Sequence, residues 1–199
     1  MRIIAGEHRG RRILGPRDAR TTRPITDRVK TSLFDRLDHR GLIADAAVLD
    51  VYCGTGSLGL EALSRGARHA TFVDRDREAI ERLRRNLAAL GMGERATVRR
   101  ADATRPGWLD EALRESPAVP ATVAFVDPPY ALLERADGWQ KLRPMLEALA
   151  AVMVTDGVMV LRTARRVELG ELAGWEGPGS QVHGSMALHF YEARGKGIV

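Results

Sequence analysis

Cysteine is nearly absent: Cys53 stands alone among 199 residues. A lone thiol excludes an internal disulfide and cannot assemble a metal site, and such usage fits a reducing compartment. The five histidines, His8, His39, His69, His183 and His189, fall without ligand or triad spacing, so zinc chemistry is not expected and no metal-binding residue is assigned. No apolar run approaches the ~20 residues needed to span a bilayer, so a membrane partner is not expected. A charged-then-apolar leader is also missing ahead of the strand-like Met1-Arg2-Ile3-Ile4, so export is not expected. Repeats and low-complexity segments are absent. What remains is an ordinary globular composition, 44% hydrophobic, at a length that suits one domain over residues 1–199 with small appendages. A cytoplasmic monomer is expected.

The net charge of +5 is unevenly placed. Residues 1–40 hold eleven Lys or Arg against five acids, an excess of +6, while the remainder stands at −1. Positive charge gathered in the first fifth of a chain is a footprint for phosphate, although nearly all the cations are Arg and the same charge could simply solvate a face. Arg9, Arg11, Arg12, Arg23, Arg28 and Lys30 are the candidate nucleic-acid contacts.

Three stretches follow from pattern. Residues 1–22 form a basic arm: Arg2 to Ile4 and Arg11 to Leu14 are short strand-like runs around a glycine bend at Gly6 and Gly10, expected outside the main sheet. Residues 23–40 hold a leading helix, with Ile25, Val29, Leu33 and Leu37 at helical spacing, Thr26 or Asp27 as cap and a basic outer face. From residue 46 to 199 short apolar strands alternate with helices, which predicts an α/β core with a mostly parallel sheet covered on both faces. The strands are expected at Val48–Val51, Ala70–Asp74, Thr97–Arg100, Thr122–Asp127 and Gly157–Arg162, with a last pair from near Val167 or Trp175 and from Ala187 to Tyr191. A helix should run from Asp76 to Leu90 with Gly91 as its cap, and another should start at Pro106. Residues 116–120 read as a loop, and Pro144 leaves the helical stretch around it without firm limits.

Asp50-Val51-Tyr52-Cys53-Gly54-Thr55-Gly56-Ser57-Leu58-Gly59 follows a buried strand and opens a helix, where glycines let a nucleotide-like ligand approach backbone N–H groups. Asp74 lies about as far on as the ~20 residues expected for a carboxylate on ribose hydroxyls. The glycines alone fit NAD or S-adenosylmethionine. Asp50 discriminates, because a carboxylate there would repel a pyrophosphate and tolerate a cationic sulfonium carrying an ammonium group. Asp102, after the third strand, can accept from an adenine amino group or serve as a turn or cap residue. Cys53 is read as a small hydrophobe rather than a nucleophile.

Asp127-Pro128-Pro129-Tyr130 ends a parallel strand, where open α/β sheets place their reactive crevice. Two prolines remove two donors and leave the Asp127 carboxylate and the Pro128 carbonyl as acceptors. An exocyclic amine on a nucleobase is a poor nucleophile, and a site attacking with it must grip both N–H hydrogens. Two acceptors do that, drawing the nitrogen toward a tetrahedral lone pair while Tyr130 stacks on a base turned out of its helix or loop.

Taken together these residues resemble the RsmD family of bacterial methyltransferases. The resemblance rests on Arg2 to Gly6 with Gly10-Arg11-Arg12, on Arg23 to Lys30 with Leu33-Phe34, on Leu49 to Gly59 with Glu61 to Ala67, and on Phe125 to Tyr130. It implies a Rossmann-like, seven-stranded, mostly parallel sheet with the last strand antiparallel, S-adenosyl-L-methionine as cofactor, no metal, and methylation of a guanine N2 amine in 16S rRNA within an assembled or assembling 30S particle. It further implies that Asp50, Gly54 and Gly56 line the methionine end of the cofactor, Asp74 its ribose and Asp102 its adenine; Tyr52, Arg75 and Ala103 are candidate cofactor contacts beside them. The tetrapeptide is shared with adenine-N6 DNA methyltransferases, which are one alternative; an NAD-dependent oxidoreductase and a non-catalytic RNA-binding assembly factor are the others.

Overall fold

The computed structural model describes residues 1–17, 25–105, 107–109 and 120–194. Arg23, the start of a helix at Pro106 and the loop at 116–119 lie outside the described residues; Gly107 to Leu109 are helical. Seven strands form one sheet: β1 (Ala47–Val51), β2 (His69–Asp74), β3 (Ala96–Arg100), β4 (Ala121–Val126), β5 (Met153–Ala164), β6 (Trp175–His183) and β7 (Met186–Ala193). Their order is β3-β2-β1-β4-β5-β7-β6. β1 pairs parallel with both β2 and β4, β2 with β3 and β4 with β5, while β7 runs antiparallel to β5 and β6. The chain therefore reverses its winding between β1 and β4, where open α/β sheets leave a crevice beyond the strands' carboxyl ends.

Period-two alternation divides the apolar residues between the two faces of the sheet. Val48, Val123, Phe125, Val158 and Val160 join one core with α1 (Asp27–His39), α2 (Ser57–Ser64) and α3 (Arg77–Leu90). Leu49, Val51, Ala124, Val126, Met159 and Leu161 join the other with Trp108, Leu109 and α5 (Gly138–Leu149). α4 (Tyr130–Leu133) is a single turn after the proline pair. Thr26 caps α1 through its side chain, and Asp76 and Gly91 close α3, Gly91 in the left-handed region at φ 66°. Pro144 continues α5 instead of ending it; its exposure leaves the carbonyl one turn back, deprived of its N–H partner, within reach of water. The sixth strand begins at Trp175, not near Val167.

The arm is a short hairpin outside the sheet, bridged at Arg2 and Arg12. It is fixed to the body by buried polar groups. Glu61, fully buried in α2, accepts from the N–H groups of Ile4 at 2.8 Å and Ala5 at 3.0 Å. Asn86 of α3 exchanges hydrogen bonds with Leu14 and donates to the Thr55 carbonyl at 3.1 Å. Gly6 at φ 78° lies against α2, where a β-carbon would come within 1.8 Å of the Ser64 carbonyl oxygen.

Candidate active site

Four aspartates mark the carboxyl ends of four adjacent strands: Asp50 in β1, Asp74 in β2, Asp102 after β3 and Asp127 after β4. Parallel pairing forces this alignment, since Val51 stands opposite both Val73 and Val126. Asp127 is held at the end of β1 by its own N–H, which donates to the Val51 carbonyl at 3.1 Å. The glycine turn and the Asp-Pro-Pro-Tyr segment are thereby brought side by side.

Within the turn the two glycines have different tasks. Gly54, at φ 54°, has nothing within 4 Å of where a β-carbon would stand, so its backbone borders open space. Its N–H donates to Asp74 Oδ2 at 2.8 Å. Gly56, at φ 86°, is packed: a β-carbon would meet Leu83 Cδ1 at 2.4 Å. Left-handed backbone and close packing require glycine there. Tyr52 also has positive φ, at 59°, and its hydroxyl is buried without a hydrogen-bond partner. Burial first, then the negative charge of Asp102, raises the Tyr52 pKa. Asp74 accepts a second bond from the Asp76 N–H at 2.9 Å. Arg75 is exposed and Ala103 buried beside Asp102.

Asp50 lies beneath the turn, 1% exposed. Its Oδ2 accepts from the Gly59 N–H in the first turn of α2 at 2.8 Å. Burial pushes its pKa up to about 7, with the charges of Asp127 and Asp74 adding to the rise and the Gly59 bond opposing it. Asp102 accepts from both the hydroxyl and the N–H of Thr104, at 2.7 and 3.1 Å, which hold its carboxyl below the ordinary range. It forms the local turn that its sequence context allows. Cys53 is buried, and that burial raises its thiol pKa well above the usual range, as an inert core residue requires.

At the reactive end Pro128 is buried, Pro129 exposed and Tyr130 half-buried. The residue that sequence reasoning missed is Arg162. Leu161 of β5 stands opposite Val126 of β4, so the next residues, Arg162 and Asp127, fall side by side. Arg162 Nε donates to Asp127 Oδ1 at 2.6 Å, and its Cζ lies 5.6 Å from the Tyr130 ring centroid. The signal in the sequence was a charge ending the apolar run Val158–Leu161.

The candidate phosphate contacts divide. Arg9, Arg11, Arg12 and Arg28 are exposed, with Arg11 Nη2 donating to the Ala89 carbonyl at 3.0 Å. Lys30 is a correction. Only 2% exposed, it donates to the Arg2 carbonyl at 2.7 Å and pairs with Glu61 Oε2 at 3.2 Å, so it serves the interior and cannot reach a phosphate. Among the described residues no group of three or more His, Cys, Asp and Glu could hold a metal ion, and no helix is long and apolar enough to cross a membrane.

Comparison with known proteins bears on this edge of the sheet. YlbH of Bacillus subtilis (strain 168), provisionally named an rRNA methyltransferase, is 37% identical over 177 residues, covering 87% of this chain and 88% of that protein. Ribosomal RNA small subunit methyltransferase D of Escherichia coli (strain K12) is 40% identical over 130 residues, 65% of this chain and 60% of that relative. A solved structure of the Escherichia coli protein yhhF, provisionally described as a methyltransferase, superposes with a TM-score of 0.77 at 32% identity, covering 98% of this chain and 99% of that one. The family model described as conserved hypothetical protein 95 matches residues 1–192, and the chain belongs to that family, the RsmD family of methyltransferases.

Proposed function

We propose that the protein transfers a methyl group from S-adenosylmethionine to the exocyclic N2 amine of a guanine in small-subunit rRNA, acting in the cytoplasm as a monomer on an assembled or assembling 30S particle. The observation that carries this reading is the juxtaposition, across one Val51–Asp127 hydrogen bond of 3.1 Å, of a glycine turn open at Gly54 and an acceptor-rich Asp127-Pro128-Pro129-Tyr130 segment. When bound, S-adenosylmethionine supplies a methyl group on a cationic sulfur, released as the carbon–sulfur bond breaks with its electron pair going to sulfur. The charges of Asp127 and Asp74 raise the proton affinity of Asp50, and that of Asp74 raises the proton affinity of Asp127, so the edge is electronegative: it favours a sulfonium with an ammonium group and disfavours the pyrophosphate of a dinucleotide. Gly54, Tyr52, Asp74 and Asp102 are the residues that would hold the cofactor.

The chain's part in the chemistry is placement. Asp127 Oδ2 and the Pro128 carbonyl are the acceptors offered to the two amine hydrogens, and the Tyr130 ring is the surface on which the base stacks. As the nitrogen gains the methyl carbon it gives up one proton, which the ionised carboxylate takes or passes to water. The name of the Escherichia coli relative supports rRNA as the polymer. The test is transfer of labelled methyl to small ribosomal subunits lacking the modification, to naked rRNA and to DNA, followed by nucleoside analysis. N2-methylguanosine from subunits is the expected product. N6-methyladenine in DNA would leave the amine chemistry standing and overturn the substrate, and no label in any substrate would overturn the enzyme.

A further inference from the structure

We propose that Arg162 is a positioning residue for methyl transfer: its guanidinium holds the Asp127 carboxylate in one orientation, with one oxygen committed and the other turned to the amine, and steadies the Tyr130 ring. The inference rests on the reading of Asp127 as the amine-gripping carboxylate.

The geometry is unusual for a pair that serves only the core. Arginine and carboxylate bind most strongly as two parallel N–H···O bonds. Here Nε alone donates, to Oδ1 at 2.6 Å, while Nη1 is buried with no hydrogen-bond partner. The side chains of Arg162 and Asp127 are 8% and 22% exposed, so both charges are withdrawn from water. Buried ion pairs can often be exchanged for apolar residues without loss of stability, and Arg162 follows the apolar run Val158–Leu161. Stability therefore gives no reason for an arginine, whereas a single-armed grip that leaves Oδ2 unclaimed gives a functional one. Backbone anchors on both sides make the grip rigid, since Arg162 pairs with Leu188 of β7 and the Asp127 N–H is bonded to the Val51 carbonyl, and the guanidinium carbon at 5.6 Å from the Tyr130 ring centroid sets the stacking surface from the same point.

The second consequence is electrical. The groups facing Asp127 are Asp50 from β1, Asp74 from β2 and Arg162 from β5. Burial raises the Asp127 pKa and Asp74 adds to it, and Arg162 is the group that opposes them. Without the arginine the carboxylate holds a proton at higher pH, and a protonated carboxyl cannot accept the amine hydrogen in the same way.

The experiment compares Arg162→Met, Arg162→Lys and Asp127→Ala in the full chain, measuring S-adenosylhomocysteine affinity, melting temperature, kcat and KM on subunits, and the pH dependence of kcat. Arg162→Met is expected to lower kcat by roughly ten- to a hundredfold, to change cofactor affinity and KM by less than about threefold, and to move the acid limb of the profile to higher pH. Arg162→Lys, which keeps the charge and loses the planar arm, should restore the acid limb and part of kcat; it carries the test if Arg162→Met does not fold. Unchanged kcat and an unmoved limb in Arg162→Met, with Asp127→Ala inactive, would overturn the role of Arg162 alone. Full turnover by Asp127→Ala would overturn the reading of Asp127 on which it rests. A kcat loss that follows melting temperature, with the limb unmoved in both arginine variants, would reduce Arg162 to a structural residue.

Discussion

Burial of the Asp50 carboxyl beneath the glycine turn, with the Gly59 N–H at 2.8 Å as its partner, gives it a proton affinity that depends on what binds above it. In the unliganded fold its pKa is pushed from 3.8 to about 7. A carboxyl raised on folding contributes stability that is fully present below its unfolded pKa and is lost as pH rises through the folded value. The unliganded protein should therefore lose stability between pH 3.8 and about 7 on account of this residue. Asn keeps an acceptor for the Gly59 N–H and removes the titration. Asp50→Asn should therefore be more stable than the parent above pH 7, on the order of 4 kcal/mol, with the gap closing in acid. Melting curves across that range decide it, and a gap independent of pH refutes the argument. A cationic cofactor should favour the ionised form, so binding near neutral pH should release a proton, read by calorimetry in buffers of different ionisation enthalpy. Proton uptake, or none, would remove Asp50 from the electrostatics of binding. The same substitution should weaken binding of the cationic cofactor.

Element by element, the clearest lesson is α1. Its stripe of Val29, Leu33 and Leu37, with Ile25 just ahead of the helix, was legible in the sequence, and so was a cap at Thr26 or Asp27, of which the structure uses Thr26. Lys30 was misread because charge near a basic arm suggests exposure. Yet Lys30 and Phe34 lie one turn apart on the flank of the same stripe, and both are buried. Burial is possible because Glu61, fully inside α2, waits for a cation. That pairing crosses 31 positions in sequence and joins three elements, so no local pattern announces it. Arg162 escaped for a related reason: its partner is set by strand register, which becomes visible only once β4 and β5 are neighbours. The glycine turn and the Asp127-Pro128-Pro129-Tyr130 segment could be read directly, because each completes its motif within ten residues. Lys30→Met should cost about 3 kcal/mol, since it strips a buried carboxylate of one of its two cationic partners while Arg65 at 3.0 Å remains. Chemical denaturation measures that loss. The salt dependence of rRNA binding should stay as in the parent; a shallower slope would return Lys30 to the interface.

Across the whole molecule charge and position are separated. The carboxyl edge of the sheet carries Asp50, Asp74, Asp102 and Asp127, and the arm carries the cations. The bend of the arm sits at the opposite edge. Its Glu7 and His8 bond Ser64 at the far end of α2, and Glu7 meets Arg95 at 3.1 Å, just before β3 begins. Eight residues of α2 separate that end from the glycine turn, about 12 Å at the α-helical rise. The returning strand of the arm then reaches the cofactor edge, where Leu14 and Thr55 share Asn86. On the proposed function, a cation at Arg9 would engage phosphate on a part of the substrate away from the reacting base. Arg11 is a poor probe, because its hydrogen bond to the Ala89 carbonyl also closes the body of the protein. Arg9 and Arg12 are the cleaner pair. Their joint reversal to Glu should raise KM for subunits and leave kcat at saturation unchanged. It should lower the slope of log affinity against log salt by roughly 1.4–1.8, two phosphate contacts' worth. A short oligonucleotide bearing the target base should lose far less affinity, because it cannot span both edges. Equal loss on the oligonucleotide would place the arm at the reacting base, and an unchanged slope on subunits would take the arm out of the RNA interface altogether.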